Sequence, residues 1–187
     1  GGEEMCVTIL FSDIRNYTEL SGKKNPLEVA NMLNEYFPPM VKIVFNKDGT
    51  LEKYIGDALM AIWGAPVPGE DHALMSVLAA IDMQKAVREL NNRWRKAGKI
   101  TIDIGIGINT GMSFVGNIGD DEYLQYAAIG DATNLSARLC SCAAPGEILV
   151  SEYTYNILKD SQIRFQELES IPLKGYAGRI RRFKVVF

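Results

Sequence analysis

The sequence predicts an α/β fold of the α+β kind, a ferredoxin-like βαββαβ sandwich with additional C-terminal strands and a helix. Two observations predict it. Apolar runs of period 2 and period 3.6 follow one another in that order along the 187 residues. The stretch Thr50-Leu-Glu-Lys53-Tyr-Ile-Gly56-Asp57-Ala-Leu-Met-Ala-Ile-Trp-Gly64 also reads as strand, tight turn, strand, which is the inner hairpin of that order. Hydrophobic residues make up 47% and charged residues 23% of the chain, an ordinary globular composition, and the length suits one domain over residues 1–187.

Residues 6–12 (Cys-Val-Thr-Ile-Leu-Phe-Ser) form a β-branched, apolar run that reads as a buried strand, ended by Asp13. Before it, Gly1-Gly2-Glu3-Glu4 is similar to the Gly-Gly-Glu-Glu-Phe signature of diguanylate cyclases. It lacks the strand and helix that precede that signature, so residues 1–4 are expected to be a disordered or foreign start. Ile14 to Thr18 lead into a short helix whose first N–H groups have no helical partner. Pro26 suits the first turn of a second helix with Val29, Met32, Leu33, Tyr36 and Phe37 on one face. Pro38-Pro39 is expected to kink or break it, because Pro38 has no N–H for residue 34.

After the hairpin, residues 71–97 read as a long amphipathic helix, with His72 expected at the surface. Residues 101–115 alternate cleanly, Ile102, Ile104, Ile106 and Ile108 on one face and Gly105 and Gly107 on the other, where something must pack closely. A turn is expected at 116–119, a strand at 123–129, and a helix from Gly130-Asp131 to Cys142. A strand at 147–151, a helix at 152–159 and a closing pair of strands at 165–173 and 179–187 complete the chain. The helices are expected on one face of the sheet.

Composition excludes several functions. The formal net charge is −3, which argues against a nucleic-acid surface; Arg179, Arg181, Arg182 and Lys184 read as a solvated strand face. No apolar run approaches the roughly 20 residues of a membrane span. Three cysteines (Cys6, Cys140, Cys142) point to reduced, cytoplasmic chemistry. With His72 the only histidine, Cys/His zinc sites and histidine triads are nearly excluded. What remains are acids at loop tips. Asp13 ends a strand beside a helix N-terminus, and reads as a cap or a metal ligand. Asp57 sits at a hairpin tip, a rigid support facing solvent. Asn134 and Arg138 lie at i and i+4, on one face of a helix.

Phe-Ser-Asp13-Ile, Lys53-Tyr-Ile-Gly-Asp57, Ile-Asn-Thr-Gly111 with Gly-Asn-Ile-Gly119, and Tyr126-Ala-Ala-Ile-Gly-Asp-Ala-Thr-Asn134-Leu-Ser-Ala-Arg138 together resemble the class III nucleotidyl cyclase catalytic domain. The resemblance runs from about Met5 to Phe187. It implies a head-to-tail homodimer with two composite sites that convert ATP to cyclic AMP and pyrophosphate. The metal ligands would be Asp13, Asp57 and the Ile14 carbonyl, holding two Mg²⁺ (or Mn²⁺), hard ions suited to carboxylates. Asn134 would orient the ribose and Arg138 would hold the α-phosphate. Lys53 matches the purine-selecting position. The N–H groups at Asn16, Tyr17 and Thr18 would cradle the outer phosphates.

Two positions depart from the family pattern. Ala127 stands where a second base-selecting side chain is usual, and Lys174-Gly175-Tyr176 stands where Lys-Gly-Lys is usual, leaving Lys174 or Arg179 as its substitute. A guanylyl cyclase or a catalytically silent nucleotide-binding dimer are the alternatives. Fused regulatory or sensor domains are expected outside this stretch.

Overall fold

The computed structural model describes residues 1–187. In chain order its elements are β1 (Gly2–Ile14), α1 (Tyr17–Lys23), α2 (Pro26–Asn46), β2 (Thr50–Ile55), β3 (Ala58–Trp63), α3 (His72–Lys96) and β4 (Ile104–Gly119). There follow β5 (Leu124–Ile129), α4 (Asp131–Cys142), β6 (Ile148–Ser151), α5 (Glu152–Leu158), β7 (Arg164–Pro172) and β8 (Arg179–Val186). The strands make one sheet in the order β2-β3-β1-β4-β6-β8-β7, with β5 paired to the far half of β4. Its first four members have the ferredoxin-like arrangement that the element order predicted.

The pleat explains the layering. Leu10 and Ile14 on β1 and Ile104, Ile106 and Ile108 on β4 point to one face, where α2, α3 and α5 cover them with Tyr36, Met40, Val77, Met83 and Leu158. Val7 and Ile9 point to the other face and meet Ala132 of α4. The sequence reading put all helices on one face; they do not share it, and α4 lies alone on the opposite side. The reason is Gly107. A Cβ there would collide with the backbone of Ser136 and Cys140, so the glycine lets α4 lie directly on β4.

Four further expectations are corrected. Gly2 to Glu4 are not a disordered start; they extend β1 and pair with Gly116, Val115 and Phe114. Residues 116–119 are not a turn but the end of β4, and the reversal lies at Asp120, whose Oδ1 accepts from Glu122 N and Tyr123 N, each at 3.0 Å. The helix α2 runs unbroken through Pro38 and Pro39, because Tyr36, Phe37, Met40 and Val44 are buried on both sides of the pair and packing outweighs two lost hydrogen bonds. His72 is not a surface residue. It is half-buried, its Nδ1 shares a hydrogen bond of 2.6 Å with Thr8 Oγ1, and burial lowers its pKa.

Candidate active site

The acids come first, because topology alone sets them side by side. β1 and β3 pair antiparallel, with Ser12 opposite Leu59, so Asp13 at the end of β1 meets the β2–β3 turn that carries Asp57. That turn requires Gly56, whose φ is +59°. Asp57 Oδ2 accepts from the Ile14 N–H at 2.9 Å, which fixes the turn tip against the strand end. Asp13 also has a basic neighbour that sequence reasoning missed. The Arg15 guanidinium pairs with Asp13 Oδ1, donates to the Ala143 carbonyl at 2.8 Å, and lies across Gly105. The signal was present, since residues 13 and 15 are two apart in extended chain and share a side. No group of three or more His, Cys, Asp or Glu gathers anywhere in the chain. The two acids of this site offer oxygen donors alone.

The helix α4 carries the second group. Its inner face is pinned three ways. Ser136 Oγ reaches the carbonyls of Ile9 at 2.7 Å and Gly107 at 3.0 Å, Asn109 Nδ2 donates to the Ala132 carbonyl at 3.0 Å, and Leu135 and Leu139 are buried. Its outer face presents Asn134 and Arg138, both exposed, one turn apart. Neither side chain makes a hydrogen bond or ion pair within the protomer, so they are not a local surface pair. They line a cleft of ≈ 530 Å³ together with Asp131, Ser141, Lys174 and Tyr176. Lys174 is thus brought to Asn134 and Arg138, and it too has no partner.

Arg179 is not brought there. It turns onto β7, donating from Nε to Ser170 Oγ at 3.1 Å and from its guanidinium to the Ser170 carbonyl, 3.8 Å from Glu169. A cross-strand bond at the start of β8 holds it outside the lining of the α4 cleft. Tyr176 takes the cleft wall instead, a residue passed over in the sequence because a phenol is not a Lys. Burial, and then the Asp131 carboxylate, raise its pKa, against the opposing charge of Arg138.

The third group is Lys53 with Ala127. Ala127 lies on β5 opposite Gly116, on the same sheet face as the exposed Phe114, Ile118 and Ile129. Lys53 Nζ lies 3.2 Å from Glu52 Oε1, and Glu52 Oε2 accepts from the Ala128 N–H at 3.3 Å, so one carboxylate ties Lys53 to the strand of Ala127. Asn16, at φ +59°, precedes α1 without a side-chain cap, which leaves the first turn at Tyr17 and Thr18 uncapped. Of the basic residues of β8, Arg179 and Arg181 are exposed, whereas Arg182 and Lys184 are partly buried, so they do not form one solvated face; Arg181 pairs with Glu167 and Glu152. No helix is long and apolar enough to cross a membrane.

The sheet thus aligns two acids at one strand end, and a pinned helix presents Asn134 and Arg138 beside an unpaired Lys174. The chain belongs to the family of adenylate and guanylate cyclase catalytic domains, whose family model matches residues 2–186. It is 32% identical over 188 residues to adenylate cyclase 1 of Rhizobium meliloti (strain 1021), a match covering 96% of this chain and 27% of that protein. The chain therefore spans about a quarter of the length of that relative. Among solved structures it resembles the adenylyl cyclase CyaB from P. aeruginosa (TM-score 0.94, 35% identity, 100% of this chain and 96% of that one). It resembles the guanylyl cyclase Cya2 equally well (TM-score 0.94, 34% identity, 99% and 93%). Backbone shape therefore does not discriminate between the bases, and that question falls to individual side chains.

Proposed function

We propose that this domain is an adenylyl cyclase, forming 3′,5′-cyclic AMP and pyrophosphate from ATP at two composite sites of a head-to-tail homodimer. The observation that carries it is the division of the protomer. Asp57 is bonded to the Ile14 N–H beside Asp13 at the end of β1, while Asn134 and Arg138 stand unpartnered on α4 and no hydrogen bond or ion pair joins the two groups. A second copy completes each half. The β4–β5 hairpin offers the surface for it, since Met112, Phe114, Ile118, Tyr123, Leu124 and Ile129 are all exposed.

Asp13, Asp57 and the Ile14 carbonyl would hold two Mg²⁺ or Mn²⁺; their all-oxygen chemistry suits hard cations. When bound, the ions supply positive charge to the triphosphate and acidify the ribose 3′-hydroxyl. The protein's own groups position and stabilise. Asn134 orients the ribose for in-line attack on the α-phosphorus. Arg138 holds the α-phosphate oxygens as negative charge grows on them. Lys174 and the first-turn N–H groups of α1, at Asn16, Tyr17 and Thr18, neutralise the departing pyrophosphate.

Lys53 selects the base. Adenine N1 accepts a hydrogen bond and an ammonium only donates; guanine presents N1–H there, a donor facing a donor. An unpaired buried donor costs about 1–3 kcal/mol, so ATP is favoured by roughly one to two orders of magnitude in kcat/KM. The test is cyclic-product formation by the purified chain with Mn²⁺ and either nucleotide. Lys53→Gln, whose amide both donates and accepts, is expected to bring the two kcat/KM values together. Wild type preferring GTP would take Lys53 out of the base pocket. No product from either nucleotide, with binding intact, would make the domain a silent nucleotide-binding dimer.

A further inference from the structure

Glu52 has an unusual position. β2 and β3 pair Leu51 with Ala61 and Lys53 with Met60, so Glu52 has no partner and forms a β-bulge. In a regular strand neighbouring residues point to opposite faces. The bulge breaks that alternation, and the charged ends of Glu52 and Lys53 meet at 3.2 Å. The Glu52 side chain is 1% exposed, while that of Lys53 is 42% exposed. A carboxylate this buried is kept only where its oxygens are bonded. Oε1 takes Lys53, and Oε2 takes Ala128 N from the open edge of β5, a strand paired on one side only. Nothing in the acid site or the α4 cleft requires this arrangement.

We infer that Glu52 is a positioning residue of the base pocket: it tethers the Lys53 ammonium beside β5, and the tether is what denies GTP. This rests on the adenylyl cyclase reading and on Lys53 facing the base. An untethered Lys reaches far on its flexible stem. It escapes the donor–donor clash with guanine by swinging to O6, the acceptor next to N1–H. Ala127 adds no side-chain group to the base edge, so it cannot correct that swing. Selectivity is then set by where Lys53 is held, and the buried Glu52 carboxylate is what holds it. Specificity here comes from disfavouring the wrong ligand.

The experiment measures kcat/KM for ATP and GTP, with equilibrium binding of fluorescent ATP and GTP analogues in parallel, in wild type, Glu52→Gln, Glu52→Ala, Lys53→Gln and the Glu52→Gln/Lys53→Gln double variant. Glu52→Gln keeps an acceptor for Ala128 N and drops the charge that holds Lys53. The ATP-to-GTP ratio is expected to fall roughly tenfold, the worth of one charge-assisted hydrogen bond. GTP use should rise in absolute terms while KM for ATP rises more than kcat falls. In the Lys53→Gln background the second change should move the ratio no further. Glu52→Ala should match Glu52→Gln in ratio and melt at lower temperature. A fall for both nucleotides alike, or the same ratio change with Lys53 absent, would make Glu52 merely structural. Wild type favouring ATP with an unchanged ratio in Glu52→Gln overturns the tether alone. Wild type favouring GTP overturns the reading beneath it as well.

Discussion

Asp57→Asn is expected to leave the fold intact and to reduce cyclic-product formation on the order of 10²-fold or more, the scale of losing a principal charge-stabilising group. The two halves of this expectation have separate origins. Asp57 Oδ2 accepts from the Ile14 N–H, and an Asn oxygen accepts equally well, so the turn should stay closed on β1. What disappears is a negative charge from a set that holds only two carboxylates. Asp13→Asn should lose turnover to a similar extent but also melt at lower temperature. Its carboxylate is the charge partner of Arg15, whose guanidinium lies largely buried across Gly105. Activity is read with saturating Mn²⁺ and thermal unfolding by circular dichroism. Either variant retaining wild-type turnover would remove these acids from the metal assignment. Equal melting of the two would remove the stabilising role of the Arg15 pair.

Arg138→Ala is expected to cut kcat by a comparable factor, with a smaller change in KM, because its interaction grows as charge develops on the α-phosphate. The melting temperature should hardly move. Arg138 is exposed and bonded to nothing in its own chain, and α4 is anchored from its inner face by Ser136 and Asn109. A large KM effect at constant kcat would make Arg138 a uniform binding group. Measured unfolding of the variant would show that α4 depends on its outer face.

Much of this was legible in the residues. The isoleucines at 104, 106 and 108 placed one face of β4 in the core, and Gly105 and Gly107 announced a close approach on the other. What approached could not be read, because α4 is distant in the chain and its arrival is a matter of topology. The same limit hid the pairing of Gly2 to Glu4 with Val115 and its neighbours, and that of His72 with Thr8. The break expected at Pro38-Pro39 failed for another reason: local backbone chemistry was outweighed by the burial of Tyr36, Phe37, Met40 and Val44. At the site, Asp13, Asp57, Asn134 and Arg138 were visible as motifs. Glu52 was not. Its role depends on a bulge, and a one-residue change of register leaves no mark in an apolar pattern. Arg179 looked as available as Lys174 until the strand pairing of β8 turned it onto Ser170.

The central claim is that each site takes its acids from one protomer and Arg138 from the other. It is tested most directly by mixing two inactive proteins, Asp57→Ala and Arg138→Ala, and measuring cyclic AMP formation. Random pairing makes half of the dimers mixed, each with one intact and one doubly damaged site, so about a quarter of wild-type activity should return. Mixed dimers demonstrated by cross-linking, yet without recovered activity, would contradict the account and place each complete site within a single chain.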